Sequence, residues 1–283
     1  MKIIKVINNN NVCILDEKGR EQIVSGKGIG FGKKYGDNVE PSQIQKTYIF
    51  TDSALQKRLM DLMTEIPFEC IRLTSDMVEH IKKCIPSKLN ESLVITLSDH
   101  IGFAIERKKQ GIEFTNPLID SIRECYPEEL KLGYYCLEQI EKNLGIKLHQ
   151  DEAGFIAMHI INARLYTNMS EVYDITKLID SCIKIVSDHY GESIDKTSSA
   201  YERFLIHLKY MAQRLFKNEE YREVLSSDPI LTALIRSNYK EHYECAAGMQ
   251  EFINEAYGKK ISKDEVITIT LHLIKITSKE NNL

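Results

Sequence analysis

Four histidines stand at matching positions of a duplicated segment and are the first candidates for chemistry in this chain. The stretch 140–159 reads Ile-x4-Gly-x5-Asp-Glu-x6-His, and the stretch 253–272 repeats that pattern with the same spacing. A shorter pattern, His-apolar-x-aromatic-x3-Arg, occurs at 100–107 and again at 207–214. Each repeat therefore carries one histidine early and one late. The four are His100, His159, His207 and His272.

The apolar helical surroundings of these histidines allow two interpretations. A single histidine on an amphipathic helix face is usually a hydrogen-bonded core or interface group. A duplicated core can be kept with Leu, Met or Phe, whereas a buried imidazole costs desolvation unless its nitrogens find partners. Recurrence of the histidines in both repeats therefore favours a functional role.

Different kinds of histidine chemistry need different neighbours. A zinc site calls for an arrangement such as His-Glu-x-x-His, and a serine hydrolase commonly has a Gly-x-Ser-x-Gly turn; neither motif is present. A neutral imidazole can instead accept a phosphoryl group, which brings about two negative charges to the site. Such a charge at an interface can separate subunits or hold them together. Asp99, next to His100, is placed to orient that ring or to repel its neighbours.

The spacing of apolar residues indicates which elements position these histidines. From about Leu62 apolar residues recur every three or four positions, which is typical of amphipathic helices. The predicted helices cover 67–85, 93–109, 117–145, 151–166, 173–190, 198–217, 229–257 and 262–277. Ser262 and Glu265 have the spacing of a capping box, which predicts the start of the last helix. The first fifty residues instead contain short β-branched or aromatic runs at 2–7, 12–15, 22–24 and 44–50.

These patterns predict a multidomain chain in which a small all-β N-terminal domain is followed by two homologous all-α helical-bundle domains. The predicted boundaries are 1–55, 66–170 and 171–283. Because a domain of about fifty residues buries little surface, we expect the β domain to gain burial by dimerising. An oligomeric state on which a domain depends is something that a regulator can control.

The composition of the 283 residues excludes several classes of protein. With 43% hydrophobic and 28% charged residues, the chain is not disordered as a whole. Because no apolar run approaches the roughly 18 to 20 residues that cross a bilayer, and the N-terminus lacks a signal-peptide pattern, we expect a cytoplasmic protein without membrane insertion. Seven cysteines without a Cys-x-x-Cys pair indicate neither a disulfide framework nor a thiolate zinc site. No metal and no cofactor are expected.

The N-terminal fifty residues carry features of an RNA-binding surface. They contain eight basic and five acidic residues, a net charge of +3, whereas the remainder carries −7. The glycine-rich stretch 25–34 lacks P-loop spacing, but its glycines, lysines and single aromatic residue suit backbone approach, phosphate pairing and base stacking. Amides from the asparagine run 8–11 can read base edges. Since this region predicts no helix that could enter a major groove, single-stranded or irregular RNA is favoured over duplex DNA.

The whole chain closely resembles the bacterial transcriptional antiterminators of the BglG/LicT/SacY family. The resemblance rests on MKIIKVINNNNV, the turn glycine Gly19, the motif SGKGIGF at 25–31, KKxGD at 33–37 and the duplicated histidine helices, all in the family's order. It implies a co-antiterminator RNA-binding domain that acts as a dimer, followed by two phosphotransferase-system regulation domains. Members bind a hairpin in nascent messenger RNA and prevent an overlapping terminator from forming, so that sugar-utilisation genes are transcribed.

The resemblance also implies roles for particular residues. The RNA-facing candidates are Lys5, Asn8, Asn10, Gly26, Lys27, Gly28, Phe31, Lys33 and Lys34. Phe31 would stack on a base, and Lys27 stands where relatives often have arginine. His100, His159, His207 and His272 match the four phosphorylation motifs. Sugar-specific enzyme II components are implied to phosphorylate the first regulation domain and inactivate the protein, and the phosphocarrier HPr to phosphorylate the second and favour the active dimer.

Two other functions remain open. A DNA-binding activator with the same phosphorylated repeats would need a helix-turn-helix, and the first fifty residues lack helical periodicity. A histidine-based metal hydrolase or phosphocarrier is the other alternative. We expect a regulator and not an enzyme, because its partners would carry out the phosphoryl transfer.

Overall fold

The computed structural model describes residues 1–16, 19–50, 52–217 and 229–278. Within these ranges the chain forms two compact units. The first unit contains Met1–Ile119 and Glu128–Asn168, and the second contains Asp120–Pro127 and the residues from Met169 onward. Each repeat thus supplies the helices of a different unit, with the short segment Asp120–Pro127 grouped with the second.

The N-terminal residues form a four-stranded antiparallel sheet in chain order. Its strands are β1 (Lys2–Asn8), β2 (Asn11–Leu15), β3 (Glu21–Ser25) and β4 (Lys46–Tyr48). In the tight β1–β2 hairpin, Val6 pairs with Val12 and Asn8 pairs with Asn11. This hairpin places the asparagine run at a tip beside the glycine-rich loop that follows β3.

Side chains on the two faces of the sheet enter different cores, because successive residues of a strand point to opposite faces. One core is internal to the β domain and consists of Ile3, Val12, Ile14, Val24, Ile29 and Val39. The other joins Ile23 and Tyr48 to the helical residues Leu59, Leu62, Met63, Ile71 and Ile95. Within the first unit, the helices therefore supply burial that the sheet alone lacks.

The helices of the first unit hold the first histidine pair. Helix α1 spans Ser53–Glu65, α2 Phe68–Cys84, α3 Leu93–Lys109, α5 Pro127–Leu144 and α6 Glu152–Leu165. Gly133 on α5 lies directly against the start of α6, since a Cβ at this position would lie 2.1 Å from the Ala153 carbonyl oxygen. The α5–α6 approach therefore depends on glycine.

The second unit repeats this arrangement around the second histidine pair. Its helices are α7 (Met169–Tyr190), α8 (Ser199–Lys217), α9 (Pro229–Asn238), α10 (Lys240–Tyr257) and α11 (Lys263–Thr277), together with most of α4 (Ile119–Cys125). Lys209 on α8 donates a hydrogen bond to the Cys125 carbonyl, and Ser121 on α4 donates one to Asp180 on α7. Helix α4 is thereby fixed to α7 and α8.

The predicted fold class, an all-β N-terminal domain followed by helical domains, is confirmed for the described residues. The predicted capping box is also present, since the Ser262 hydroxyl accepts a hydrogen bond from the Glu265 amide at 3.1 Å. Three predicted details are wrong. Helix α1 (Ser53–Glu65) was not predicted. The single helices predicted for 117–145 and 229–257 are each two helices. Pro127 explains the first break, because proline lacks an N–H and disfavours a helical residue before it.

Candidate functional site

Helices α3 and α6 bring His100 and His159 together. Their ring centroids lie 4.9 Å apart, and the Phe155 ring lies 5.9 Å from that of His100. We call His100, Arg107, Glu152 and His159 the first-repeat site. His100 and His159 are half-buried residues, and Nε2 of His100 and Nδ1 of His159 are buried.

A buried carboxylate joins the components of the first-repeat site. Glu152 lies 2.8 Å from the Arg107 guanidinium and 3.0 Å from Nε2 of His100, although the latter contact lacks hydrogen-bond geometry. Burial alone would raise the pKa of Glu152, but His100 and Arg107 together lower that pKa below its usual value. The site therefore holds an ionised carboxylate beside the two rings.

Helices α8 and α11 build the corresponding arrangement in the second unit. The His207 and His272 ring centroids lie 5.0 Å apart. Nε2 of His207 forms a 3.0 Å hydrogen bond with Glu265, whose other oxygen accepts a hydrogen bond from Arg214. We call His207, Arg214, Glu265 and His272 the second-repeat site. Its rings are also partly exposed.

The environments keep three of the four imidazoles neutral at physiological pH. Burial, reinforced by His100, lowers the pKa of His159 to about 3. Burial, with His272 and Arg214, lowers the pKa of His207 to about 4. The pKa of His272 is lowered by burial and by the charges of Lys275 and Arg203. A neutral ring keeps a nitrogen lone pair that can attack phosphorus, so these sites suit phosphoryl acceptance.

The carboxylate and arginine of each site were not among the candidate residues chosen from the sequence. The repeated patterns contained all four, because Glu152 and Glu265, like Arg107 and Arg214, occupy equivalent positions. A carboxylate and an arginine that recur with the histidines were the signal that could have identified them. Glu152, from another helix, makes the 3.0 Å contact with His100. The orienting role of Asp99 stays a prediction.

The glycine-rich loop presents the exposed candidates for nucleic-acid contact. Phe31 is 72% exposed, and Lys5, Lys27, Gly28 and Lys34 are also exposed. Lys33 is partly exposed, and its Nζ donates to the Asn38 carbonyl at 3.3 Å. An exposed aromatic ring among lysines can combine base stacking with phosphate pairing.

Two of the residues predicted to face RNA, Asn8 and Gly26, make contacts within the protein. The Asn8 amide donates to the Met63 carbonyl at 2.6 Å, while its oxygen accepts from the Asn10 amide nitrogen and the Asn11 side chain. Gly26 is buried, and a Cβ there would lie 2.0 Å from the Gln43 carbonyl oxygen. These positions shape the loop and its support, because their polar atoms or Cα are already in contact with protein.

Asn10 supports the glycine-rich loop, and Tyr35 lies exposed next to it. The Asn10 side-chain oxygen accepts a 2.8 Å hydrogen bond from the Gly28 amide, so Asn10 ties the hairpin tip to the glycine-rich loop. Tyr35 is 78% exposed and was not predicted as a site residue. Its place directly after Lys33 and Lys34 was the signal in the sequence.

The described ranges contain no group of three or more His, Cys, Asp or Glu side chains arranged to hold a metal ion. None of the helices described combines the length and hydropathy that a membrane span requires.

Comparison with protein families assigns most of the chain to two kinds of domain. Residues 1–57 match the CAT RNA binding domain. Residues 75–163 and 180–276 each match the PRD domain. The two PRD matches contain the first-repeat site and the second-repeat site, respectively.

Individual proteins are similar along nearly the full chain. The transcription antiterminator LicT of Bacillus subtilis is 36% identical over 276 residues, which cover 98% of this chain and 99% of LicT. The beta-glucoside operon antiterminator of Dickeya chrysanthemi is 36% identical over 278 residues, which cover 98% of this chain and 97% of that protein. The crystal structure of GlcT CAT-PRDI has a TM-score of 0.50 and 36% identity, and covers 58% of this chain and 97% of its own.

Proposed function

The chain belongs to the BglG/LicT family of transcription antiterminators, with a CAT RNA-binding domain and two PRD domains, and from this membership we propose that it is an antiterminator controlled by histidine phosphorylation. It binds, as a dimer, a hairpin in nascent messenger RNA and prevents a terminator from forming in a sugar-utilisation operon. Its named relatives are regulators and not enzymes. The full-length match to these relatives is the observation that carries the proposal.

The exposed loop supports RNA as the ligand. Phe31 and Tyr35 project from a segment that also carries Lys27, Lys33 and Lys34. Aromatic rings stack on unpaired bases, and lysines neutralise phosphates. A duplex-reading protein would instead insert a helix or ribbon into the major groove, whereas here the loop follows an antiparallel sheet.

The two histidine sites support phosphorylation as the control. Each site pairs two imidazoles with a buried glutamate and an arginine. We expect the sugar-specific enzyme II of the phosphotransferase system to modify His100 and His159 and to inactivate the protein. We expect HPr to modify His207 and His272 and to favour the dimer. Two negative charges added to such a site change its interactions at any nearby interface.

The RNA role predicts a specific loss at Phe31. Phe31→Ala should weaken binding to a selected RNA hairpin by about 1 to 3 kcal/mol, the range for one stacked base. Filter binding after in vitro selection from a hairpin library measures this, and Tyr173→Ala, which truncates an exposed aromatic ring of α7, serves as the control. Unchanged affinity on loss of the Phe31 ring would remove the stacking role. Preferential binding of duplex DNA would favour the DNA-binding activator.

The regulatory role predicts opposite responses from the two repeats. His207→Asp with His272→Asp should increase the dimer fraction, and His100→Asp with His159→Asp should decrease it, because each aspartate supplies part of the phosphate charge. Sedimentation velocity over a concentration series measures both, and His80→Asp is the control at a histidine outside the motifs. Identical dimer fractions in all variants would contradict charge-controlled assembly. Onward transfer of phosphate to an acceptor would favour the phosphocarrier alternative.

A further inference from the structure

The two histidine sites differ at two positions that carry charge. When the two repeats are aligned on their early histidines, His100 and His207, Arg203 of α8 corresponds to Thr96 of α3. In the same way Lys275 of α11 corresponds to Asn162 of α6. The second-repeat site therefore gains two cations at positions that are uncharged in the first.

Helix spacing places both cations on the faces that carry the histidines of the second-repeat site, and the exposed Arg203 guanidinium donates a 3.1 Å hydrogen bond to Ser199 on the preceding turn. Arg203 lies four residues before His207, and Lys275 lies three residues after His272, so each shares a helix face with a histidine. The ring of Phe204, next to Arg203, lies 6.1 Å from the ring of His272. This contact brings the first half of α8 against the part of α11 that carries His272.

Electrostatic effects on the rings agree with this placement. Besides burial, the charges of Lys275 and Arg203 lower the pKa of His272. For His159, the equivalent ring, the causes of the lowered pKa are burial and His100. Cations that resist protonation of one ring would attract an anion attached to it.

The second-repeat site also has more open surroundings. Thr268 replaces Phe155, and its hydroxyl donates to the Asp264 carbonyl in its own helix. Leu271 beside His272 is 39% exposed, whereas its counterpart Met158 is buried. A tetrahedral phosphoryl group needs this space next to the ring.

We propose that Arg203 and Lys275 form a cationic cradle that holds the phosphoryl group of phosphorylated His272, and that the first-repeat site has no such cradle. This inference rests on the proposed function, since it names how one of the proposed modification sites keeps its phosphate. The ligand is a phosphoryl dianion bonded to a ring nitrogen. With this cradle, phosphohistidine persists longer in the second-repeat site than in the first-repeat site.

The reaction can be followed with a small donor in place of a protein. The unprotonated ring nitrogen of His272 attacks the phosphorus atom of phosphoramidate. The P–N bond to the amino group of phosphoramidate breaks, and ammonia leaves with the proton that the imidazole releases. Loss of phosphate to water requires protonation of the ring so that imidazole can depart. Positive charges nearby oppose that protonation and pair with the phosphoryl oxygens, so both effects slow the loss.

The experiment compares phosphohistidine lifetimes in the full-length protein. Wild type, Arg203→Thr with Lys275→Asn, and the control Lys240→Asn are treated with phosphoramidate. The donor is removed and occupancy at each histidine is followed by mass spectrometry. The control removes an exposed charge that pairs with Glu244 on α10. We expect the double variant to shorten the lifetime at His272 about tenfold, the factor from one charge-assisted contact, and high salt to reduce this difference.

Different failures have different meanings. A His272 lifetime in the double variant within twofold of wild type overturns the cradle and leaves the proposed function standing. Phosphate on the other motif histidines but not on His272 does the same. Phosphate on none of the four, while free histidine in the same tube is modified, overturns both the cradle and the proposed phosphorylation.

Discussion

The first-repeat and second-repeat sites contain the same four residue types but differ in electrostatics. Glu152 has a pKa below its usual value, because His100 and Arg107 outweigh the effect of burial. Burial raises the pKa of Glu265, and the opposing contact with Arg214 does not reverse this. Two neighbours distinguish the sites. His207, with a pKa of about 4, offers Glu265 little positive charge, and the negative charge of Asp264 further raises the pKa of Glu265. Duplicated residues thus share geometry while their neighbours decide their charge.

Replacing the glutamate of each site is expected to give the largest difference between the repeats in the free energy of unfolding. Glu152→Gln should lower the free energy of unfolding of the first unit by about 3 kcal/mol at pH 7, because Arg107 loses its buried counter-charge. Glu265→Gln should cost the second unit less, since the raised pKa of Glu265 shows that folding stabilises its ionised form less than that of Glu152. Glu152 stabilises above its usual pKa and loses this contribution as pH falls, whereas any contribution from Glu265 is lost as pH rises. Native-state hydrogen exchange of α6 and α11 amides reads each unit separately.

Equal losses in both units would show that the two carboxylates are equivalent. Glu244→Gln on α10 is the matched control, because this exposed carboxylate forms a surface pair with Lys240. Its effect on the free energy of unfolding should be within about 0.5 kcal/mol.

Helix packing provides a second difference between the repeats. Gly133 corresponds to the buried Ala246 of α10. Gly133→Ala should destabilise the first unit by about 2 kcal/mol, since its new Cβ would lie 2.1 Å from the Ala153 carbonyl oxygen and the helices must separate. Ala246→Gly should destabilise the second unit by about 1 kcal/mol through lost helix propensity and packing. Urea unfolding combined with hydrogen exchange measures both.

A gain of stability in Gly133→Ala would contradict the close α5–α6 contact. Gly248→Ala is the control, because a Cβ there meets no atom within 4 Å. Alanine at that position should stabilise α10 slightly by its higher helix propensity.

The pH dependence of the free energy of unfolding provides the smallest difference. It involves a different ring in each repeat. His159, the late ring, has a pKa of about 3 in the first repeat, and His207, the early ring, has a pKa of about 4 in the second. Because the unfolded rings titrate near 6.5, the unfolded state gains protons first as pH falls. Each ring should therefore cost its unit about 1 kcal/mol between pH 6.5 and 5.5.

Glutamine variants test which ring is responsible. His159→Gln should remove this pH dependence from the first unit alone. His207→Gln should reduce it in the second unit, where His272, whose pKa is also lowered, retains part of it. Hydrogen exchange at the two pH values measures the slopes. His149→Gln, at an exposed histidine outside the motifs, is the control and should leave them unchanged. Unaltered slopes in the His159 and His207 variants would show that other groups carry the acid sensitivity.

The errors in the predicted elements show where local patterns are insufficient. Helix α1 has Asp52 as an N-cap, and Leu55, Leu59, Leu62 and Met63 follow helical spacing, so its signal was available in the sequence. This helix follows directly after the run 44–50, whose residues favour a strand. The break before Pro127 was also readable. The break at Tyr239, between α9 and α10, has no proline or glycine to announce it.

The internal role of Asn8 required the tertiary structure. In the sequence it is one of four equivalent asparagines. Its amide meets the Met63 carbonyl at 2.6 Å across 55 residues, and only the packing of α1 on β1 brings these atoms together. Asn10, two residues further, instead supports the loop through Gly28.

The sequence by itself determined the duplication, the helical and β segments and the four histidines, because periodicity and spacing are local properties of the chain. The tertiary structure alone decided that Glu152 reaches His100 and that Glu265 reaches His207, each from another helix. The two residues in each of these contacts lie more than fifty positions apart along the chain. Their energies depend on burial and distance, which the order of residues does not specify.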